Sequence, residues 1–183
     1  HLSDFRYAKV LVVVFMCNHC PYVKAVRGRI NQLAKDYKNH KVQVIGINSN
    51  DSVRYPDDSF EAMKKEVAEQ HYEFPYLWDE TQEVARAYGA VCTPDFFVFE
   101  NSLAEEFREA DQETERERDR DRFVLRYRGR LDDNWKDESQ VKRRDLSEAI
   151  EDILAGRQYS QEQVPSMGCS IKWKESGDQR RTG

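Results

Sequence analysis

The chain has 183 residues, of which 39% are hydrophobic and 34% charged, and its formal net charge at pH 7 is −5. This length suits one ordinary domain with a hydrophobic core and is short for two. The longest apolar run, Val10–Met16, is far too short to span a bilayer, and no basic surface of the kind that phosphate backbones require is apparent. We expect a soluble protein with no membrane span and no nucleic acid partner, and, since no secretory signal is visible, a cytoplasmic location.

Strand and helix patterns alternate along most of the chain. The first strand pattern is an apolar, β-branched run typical of a strand buried on both faces of a sheet. In chain order, the predicted elements are a strand over Lys9–Met16, a helix from Pro21 to Asn39, a strand over Val42–Asn48, a helix capped by Asp58 or Ser59 that runs to about Gln70, a short strand over Phe74–Trp78, a helix over Thr81–Tyr88 that ends at Gly89, strands over Asp95–Glu100 and Phe123–Tyr127, and a helix over Asp145–Leu154 that ends at Gly156.

This order predicts a single α/β domain over residues 1–183, with no internal repeat. Alternating strands and helices favour parallel pairing, and the late hairpin adds antiparallel strands, so we expect a mixed central sheet with helices on both faces. A charged insertion at about 101–122 interrupts the hairpin with nine acidic and five basic residues. We interpret it as a solvated extension or surface helix; a docking surface for a basic partner is the alternative. A C-terminal tail begins at about residue 157.

The chemistry that stands out is a Cys-x-x-Cys pair, Cys17 and Cys20, at the junction of the first strand and the first helix. Such a pair in a strand–helix setting is typical of a redox motif. A helix N-terminus favours a thiolate, because unpaired backbone N–H groups and the helix dipole stabilise the anion. We therefore expect Cys17 to be an exposed nucleophile with a low pKa. Cys20, about one turn deeper, would resolve a mixed disulfide at Cys17.

Three further residues are candidates around this pair. Protonated His19, between the two cysteines, would favour the thiolate and make the disulfide more oxidising; a solvent-exposed side chain without a role is the alternative. Cys92 and Cys169 form a possible second redox pair if the tail folds back, or are two buried, unreactive thiols. Cu or Zn binding at Cys17 and Cys20, with His19 as a possible further ligand, is a rival use of the motif, although the widely separated Cys92 and Cys169 do not complete a structural zinc site.

Several runs give the chain a resemblance to the thioredoxin superfamily, and more narrowly to bacterial thioredoxin-like proteins of the AhpC/TSA–redoxin group. They cover the chain from end to end except for the charged insertion. The matching runs are FMCNHCPYV at Phe15–Val23, INSND at Ile47–Asp51, FPYL at Phe74–Leu77, AYGAVCTPDFF at Ala87–Phe97, YRGRLDD at Tyr127–Asp133 and PSMGCSIKWK at Pro165–Lys174.

The resemblance implies a thioredoxin-like fold with a cis peptide bond between Thr93 and Pro94, facing the cysteine pair. Thr93 would offer backbone hydrogen bonds to an extended peptide substrate; an ordinary trans proline that opens a strand is the alternative. Three departures limit the analogy. Leu11 stands where thioredoxin has a buried carboxylate, the Pro-x-x-x-Thr-x-x-Cys frame of peroxiredoxins is missing before Cys17, and only nine residues precede Val10, so we expect the family's leading β-hairpin to be absent.

The sequence thus predicts a thiol–disulfide oxidoreductase in which Cys17 and Cys20 exchange a dithiol and a disulfide with protein or small thiol substrates. An unidentified reductant or oxidant would complete the cycle. No organic cofactor is expected, because the thiols carry the two electrons and no dinucleotide or phosphate loop is visible. The alternatives are a thiol-dependent peroxidase and, third, a metal-binding module.

Overall fold

A computed structural model describes residues 2–102 and 122–175 of the chain. The predicted charged insertion therefore lies largely outside the described residues. The helices are α1 (Pro21–Tyr37), α2 (Phe60–Gln70), α3 (Glu83–Tyr88) and α4 (Asp145–Leu154), and the strands are β1 (Val10–Phe15), β2 (Val42–Asn48), β3 (Tyr76–Trp78), β4 (Cys92–Thr93), β5 (Asp95–Asn101), β6 (Phe123–Gly129) and β7 (Cys169–Ser170). Short 3₁₀ helices occupy Leu2–Phe5, Pro56–Asp58 and Glu138–Gln140.

Five strands form the main sheet, in the order β3-β2-β1-β5-β6. The pairs β1–β2 and β2–β3 are parallel, whereas β1–β5 and β5–β6 are antiparallel. The predicted mixed α/β sheet is therefore confirmed. All six residues of β1 are buried, as expected for a strand with sheet neighbours on both sides and helices above and below.

The alternation of side chains along β1 divides the core into two layers. Val10, Val12 and Val14 pack on one face with residues of α1 and α4, and Leu11, Val13 and Phe15 pack on the other with Ala85 of α3 and Ile171 of the tail. Both faces of the sheet are covered, as the sequence predicted. Within residues 2–102 and 122–175, no helix combines the length and the apolar character needed to cross a membrane.

The main difference from the predicted elements lies in the tail. The helix after the motif begins at Pro21, as predicted, so Cys20 is its N-cap residue and Cys17 lies outside its first turn. The two-residue strands β4 and β7, which the sequence did not predict, pair with each other antiparallel and apart from the main sheet. Two residues give no hydrophobic pattern that a reader of the sequence could detect.

Stability should depend on the layer between β1 and α4. Ile150 is fully buried there, so Ile150→Ala should lower the free energy of unfolding by about 2–5 kcal/mol, through lost apolar burial and a cavity. Leu125→Ala on the exposed face of β6 is the matched control and should cost about 0.5 kcal/mol or less. Urea unfolding followed by circular dichroism checks both; equal losses would contradict the core assignment.

Candidate active site

The Cys17–Cys20 motif forms the connection between β1 and α1. The end of β1 is held to its neighbour by a 2.9 Å hydrogen bond from the Met16 amide to the Ile47 carbonyl. The helix starts immediately after the motif because Pro21 at its first position has a backbone angle suited to a helix start and needs no N–H partner there. The two cysteines are therefore presented by a short, tightly bounded loop.

Thr93 contacts both thiols. Its hydroxyl oxygen lies 3.4 Å from Cys17 Sγ, and its carbonyl oxygen accepts a 3.1 Å hydrogen bond from Cys20 Sγ. The peptide bond between Thr93 and Pro94 is cis, as the family resemblance implied. The structure thus brings together four of the predicted site residues: the two cysteines, the threonine and the proline.

Cys17 does not have the surroundings that the sequence predicted. It is 1% exposed, rather than open to solvent, because it lies between Thr93 and Asp58 of the 3₁₀ turn Pro56–Asp58. Cys20 is buried completely. Access of any substrate to either sulfur therefore requires this loop or its cover to move.

The two thiols act as one titrating pair. A hydrogen bond from the Cys17 thiol lowers the pKa of Cys20 to about 4, and the same bond raises the pKa of Cys17, together with burial and the nearby negative charge of Asp58. The backbone amide of Val23, in the first turn of α1, also lowers the pKa of Cys20. The low pKa expected at Cys17 itself is not met in this state, because the bond toward Cys20, burial and the negative charge of Asp58 all raise it.

Asp58 is a fully buried carboxylate beside the motif. It accepts hydrogen bonds from the Asn18 amide at 2.7 Å and from Asn50 Nδ2 at 2.8 Å. His19 Nδ1 lies 2.6 Å from Asp58 Oδ2, the oxygen that also accepts from Asn50. The imidazole stacks on the Tyr55 ring, with the ring centroids 5.4 Å apart. His19 is therefore paired with a carboxylate and an aromatic ring, and its predicted influence on the thiols would act through Asp58.

The tail brings Cys169 to the site. In the β4–β7 pairing Cys169 lies opposite Thr93, and Ser170 lies opposite Cys92. Hydrogen bonding by Cys169 helps to lower the pKa of Cys20. The Cys92 thiol instead donates to the carbonyl oxygens of Pro94 and Ser166, at 3.5 and 3.8 Å. The tail does fold back, but it places Cys169 by Cys20; the Cys92–Cys169 redox pair stays a prediction.

Three side chains at the site are suited to hold a metal ion. One ligand atom each from Cys17, His19 and Asp58 lies within 4.8 Å of the other two. A thiolate, an imidazole and a carboxylate are donors that Zn²⁺ accepts. This set differs from the rival metal site proposed from the sequence, in which Cys20 stood in the place that Asp58 takes here.

Sequence reasoning missed Asp58, Asn50 and Tyr76 as parts of the site. Tyr76 donates a 3.0 Å hydrogen bond to Asn18 Oδ1, and so helps to fix the loop between the cysteines. The sequence pattern makes Asp58 a candidate helix cap alongside Ser59, and Ser59 is the cap. Asn50 and Tyr76 lie in the runs INSND and FPYL, which are part of the family resemblance and could have pointed to both residues. No sequence feature pointed to Asp58 as a site residue.

Comparison with solved structures gives two similar proteins that cover nearly the whole chain. One is an uncharacterised conserved protein from Geobacillus kaustophilus, with 41% identity and a TM-score of 0.79 over 96% of this chain and 82% of that one. The other is a hypothetical protein from Sinorhizobium meliloti 1021, with 37% identity and a TM-score of 0.79 over 94% of this chain and 84% of that one.

The fold also resembles that of a thioredoxin-like protein solved in its oxidised form, with a TM-score of 0.55 and 15% identity over 82% of this chain and 81% of that one. The predicted thioredoxin-like α/β fold is confirmed. A search of curated proteins found no match. The model of the AhpC/TSA family matches residues 1–132. Fold and family together support a redox role, and the chain belongs to the AhpC/TSA family.

Proposed function

We propose that the protein is a thiol–disulfide oxidoreductase whose redox centre is the Cys17–Cys20 pair. The observation that carries the proposal is that both thiols of the pair contact Thr93, Cys17 at its hydroxyl group and Cys20 at its carbonyl group. A pair in which one thiol stabilises the anion of the other holds one thiolate at neutral pH, and the thiolate is the form that exchanges with disulfides.

Cys17 is the thiol that attacks the substrate. It lies on the side of the motif that faces His19, whose side chain is 24% exposed, whereas Cys20 lies under the Thr93 carbonyl and the tail. The proton that Cys17 must lose passes along its hydrogen bond to Cys20. The Cys17 thiolate then attacks a substrate disulfide, forms a mixed disulfide and releases one substrate sulfur as a thiolate.

Cys20 completes the exchange. Its sulfur attacks Cys17 in the mixed disulfide, so that the Cys17–Cys20 bond forms as the bond from Cys17 to the substrate breaks. The second substrate sulfur leaves with the proton that Cys20 held. The substrate has then gained two electrons and the protein has lost two, so a dithiol reductant must restore the pair, and in the reverse direction an oxidant would do so.

The substrate class that fits this chemistry is a protein or low-molecular-weight disulfide. The cycle needs no organic cofactor, because both electrons reside on the two sulfurs.

The thiol peroxidase alternative uses the same Cys17 thiolate against a hydroperoxide. The Pro-x-x-x-Thr-x-x-Cys frame of peroxiredoxins, which is missing before Cys17, weighs against it.

Paired assays of insulin reduction and peroxide consumption test the proposed function. With dithiothreitol as reductant, we expect the wild-type protein to accelerate insulin reduction and Cys17→Ser to fall to the background rate, because the serine hydroxyl is not a nucleophile at neutral pH. Cys92→Ser is the matched control and should retain the wild-type rate, since the Cys92 thiol hydrogen-bonds to the backbone carbonyls of Pro94 and Ser166 and not to the motif.

The same samples separate the alternatives. Rapid oxidation by peroxide without insulin reduction would contradict the proposal and favour a peroxidase. Stoichiometric zinc or copper in protein purified under reducing conditions, lost in His19→Ala, would favour the metal-binding module at Cys17, His19 and Asp58.

The charge of Asp58 should govern how readily Cys17 ionises. In Asp58→Asn the amide keeps an oxygen for the Asn18 N–H but removes the negative charge, so the pKa of Cys17 should fall by about 1 unit. Alkylation by iodoacetamide, followed against pH with peptide mapping, measures this change. Asp57→Asn is the control, because the Asp57 side chain is exposed and only its backbone carbonyl binds the loop. Equal profiles for both variants would refute the role of Asp58.

A further inference from the structure

The C-terminal tail forms a strand against the same residues that bind the two thiols. β7 (Cys169–Ser170) pairs antiparallel with β4 (Cys92–Thr93), directly before the cis peptide bond. Gly168 makes this approach possible: a Cβ atom there would overlap the carbonyl group of Thr93. The tail therefore lies in van der Waals contact with the backbone that contacts Cys17 and Cys20.

Hydrogen bonds fix the tail on both sides of Cys169. Before it, the Arg130 amide donates to the Val164 carbonyl at 2.9 Å and Ser166 Oγ donates to the Gly129 carbonyl at 2.6 Å. After it, hydrogen bonds hold both the amide and the carbonyl of Lys172. Cys169 thus occupies a defined position between two anchored segments.

The anchor after Cys169 is built from buried polar groups of the main domain. The Lys172 carbonyl accepts from the Asp51 amide at 2.8 Å and from Gln82 Nε2 at 2.9 Å. The Lys172 amide donates to Asn50 Oδ1 at 2.8 Å, and Asn50 also binds Asp58. Gln82, which is 1% exposed, adds a fourth bond to this anchor by accepting from the Lys174 amide.

Cys169 is placed to react with Cys20. Residues opposite each other across a strand pair have side chains on the same face, so Cys169 shares the face of Thr93, whose hydroxyl contacts Cys17. Cys20 Sγ lies 3.1 Å from the carbonyl oxygen of Thr93, the residue opposite Cys169, and Cys169 packs, partly buried, against the core cluster that contains both motif cysteines. A thiol in such contact with one sulfur of a disulfide has a short path for attack.

We propose that Cys169 is a third redox thiol of this centre and exchanges with the Cys17–Cys20 disulfide. The Cys169 thiol loses its proton as it attacks Cys20 Sγ, a Cys20–Cys169 bond forms, the Cys17–Cys20 bond breaks, and Cys17 leaves as a thiolate that can take up that proton. One thiol and one disulfide are present before and after, so no outside oxidant or reductant is consumed. This inference rests on the proposed function, because it needs the Cys17–Cys20 disulfide as its starting point.

The consequence is a second oxidised form, in which Cys17 is a free thiol and a Cys20–Cys169 disulfide joins the tail to the motif. A substrate captured at Cys17 could then not be resolved by Cys20 until Cys169 had been released. The tail would in this way set how long a mixed disulfide at Cys17 persists. Cys92 takes no part, because its thiol lies against the carbonyls of Pro94 and Ser166.

The experiment removes Cys17 and asks what Cys20 bonds to. Cys17→Ser protein is equilibrated with about 1 mM oxidised glutathione, alkylated and mapped by mass spectrometry without reduction. We expect the Cys20–Cys169 bridge to exceed the Cys20–glutathione adduct at least about tenfold, because a thiol held in contact has an effective concentration above that of the glutathione. In Cys17→Ser/Cys169→Ser the glutathione adduct should replace the bridge.

Gly168→Ala in the Cys17→Ser background tests whether the pairing of the tail is responsible. Its methyl group would press on the Thr93 carbonyl, so the bridge should decrease at least about tenfold relative to the adduct. Gly28→Ala, which adds the same group in open space on α1, should leave the ratio unchanged. A Cys20–glutathione adduct with free Cys169 in the Cys17→Ser protein, or a Cys92–Cys169 bridge, overturns the inference. If the wild-type protein meanwhile reduces insulin, the proposed function survives that failure.

Discussion

The contact between Thr93 and the two motif thiols is the interaction on which the rest of the site depends. One residue offers its hydroxyl group to Cys17 and its carbonyl group to Cys20, and the same residue pairs with the tail. β1 fixes the loop from one side and β5 continues directly from Pro94 on the other, as neighbouring strands of the sheet. The fold therefore sets the distance from Thr93 to the sulfurs through the antiparallel strand pair β1–β5.

Asp58 gives the centre an electrostatic character that the motif alone does not have. At the position where the resemblance implies a buried carboxylate in thioredoxin, this chain has Leu11, which is packed in the hydrophobic core. Here the buried carboxylate comes from the Pro56–Asp58 turn and lies near Cys17. His19 and Asn50 both bind this carboxylate, and Asn50 also binds the tail at Lys172. The position of the charge next to Cys17 therefore depends on the motif and on the tail.

The sequence was sufficient for the parts of the structure that rest on local pattern. The apolar run of β1, the helical spacing of α1 and α4, and the mixed sheet followed from periodicity and order. The contacts that define the site did not, because they join residues about 40 to 76 positions apart, as in Asn18–Asp58 and Cys17–Thr93. The start of α1 at Pro21 also followed from the sequence. The low pKa expected at Cys17 did not, because the bond toward Cys20, burial and the Asp58 charge raise it, and none of these shows in the local pattern.

The central claim is that Cys17 and Cys20 form one reversible two-electron couple. Wild-type protein equilibrated across a series of glutathione redox buffers, with free thiols alkylated at each point and the peptides weighed, tests it most directly. We predict that the peptide spanning both cysteines becomes lighter by the mass of H₂ in a single transition, and that reduction restores both thiols together. Two cysteines that stayed open to alkylation throughout the series, or that were modified independently of each other, would contradict it.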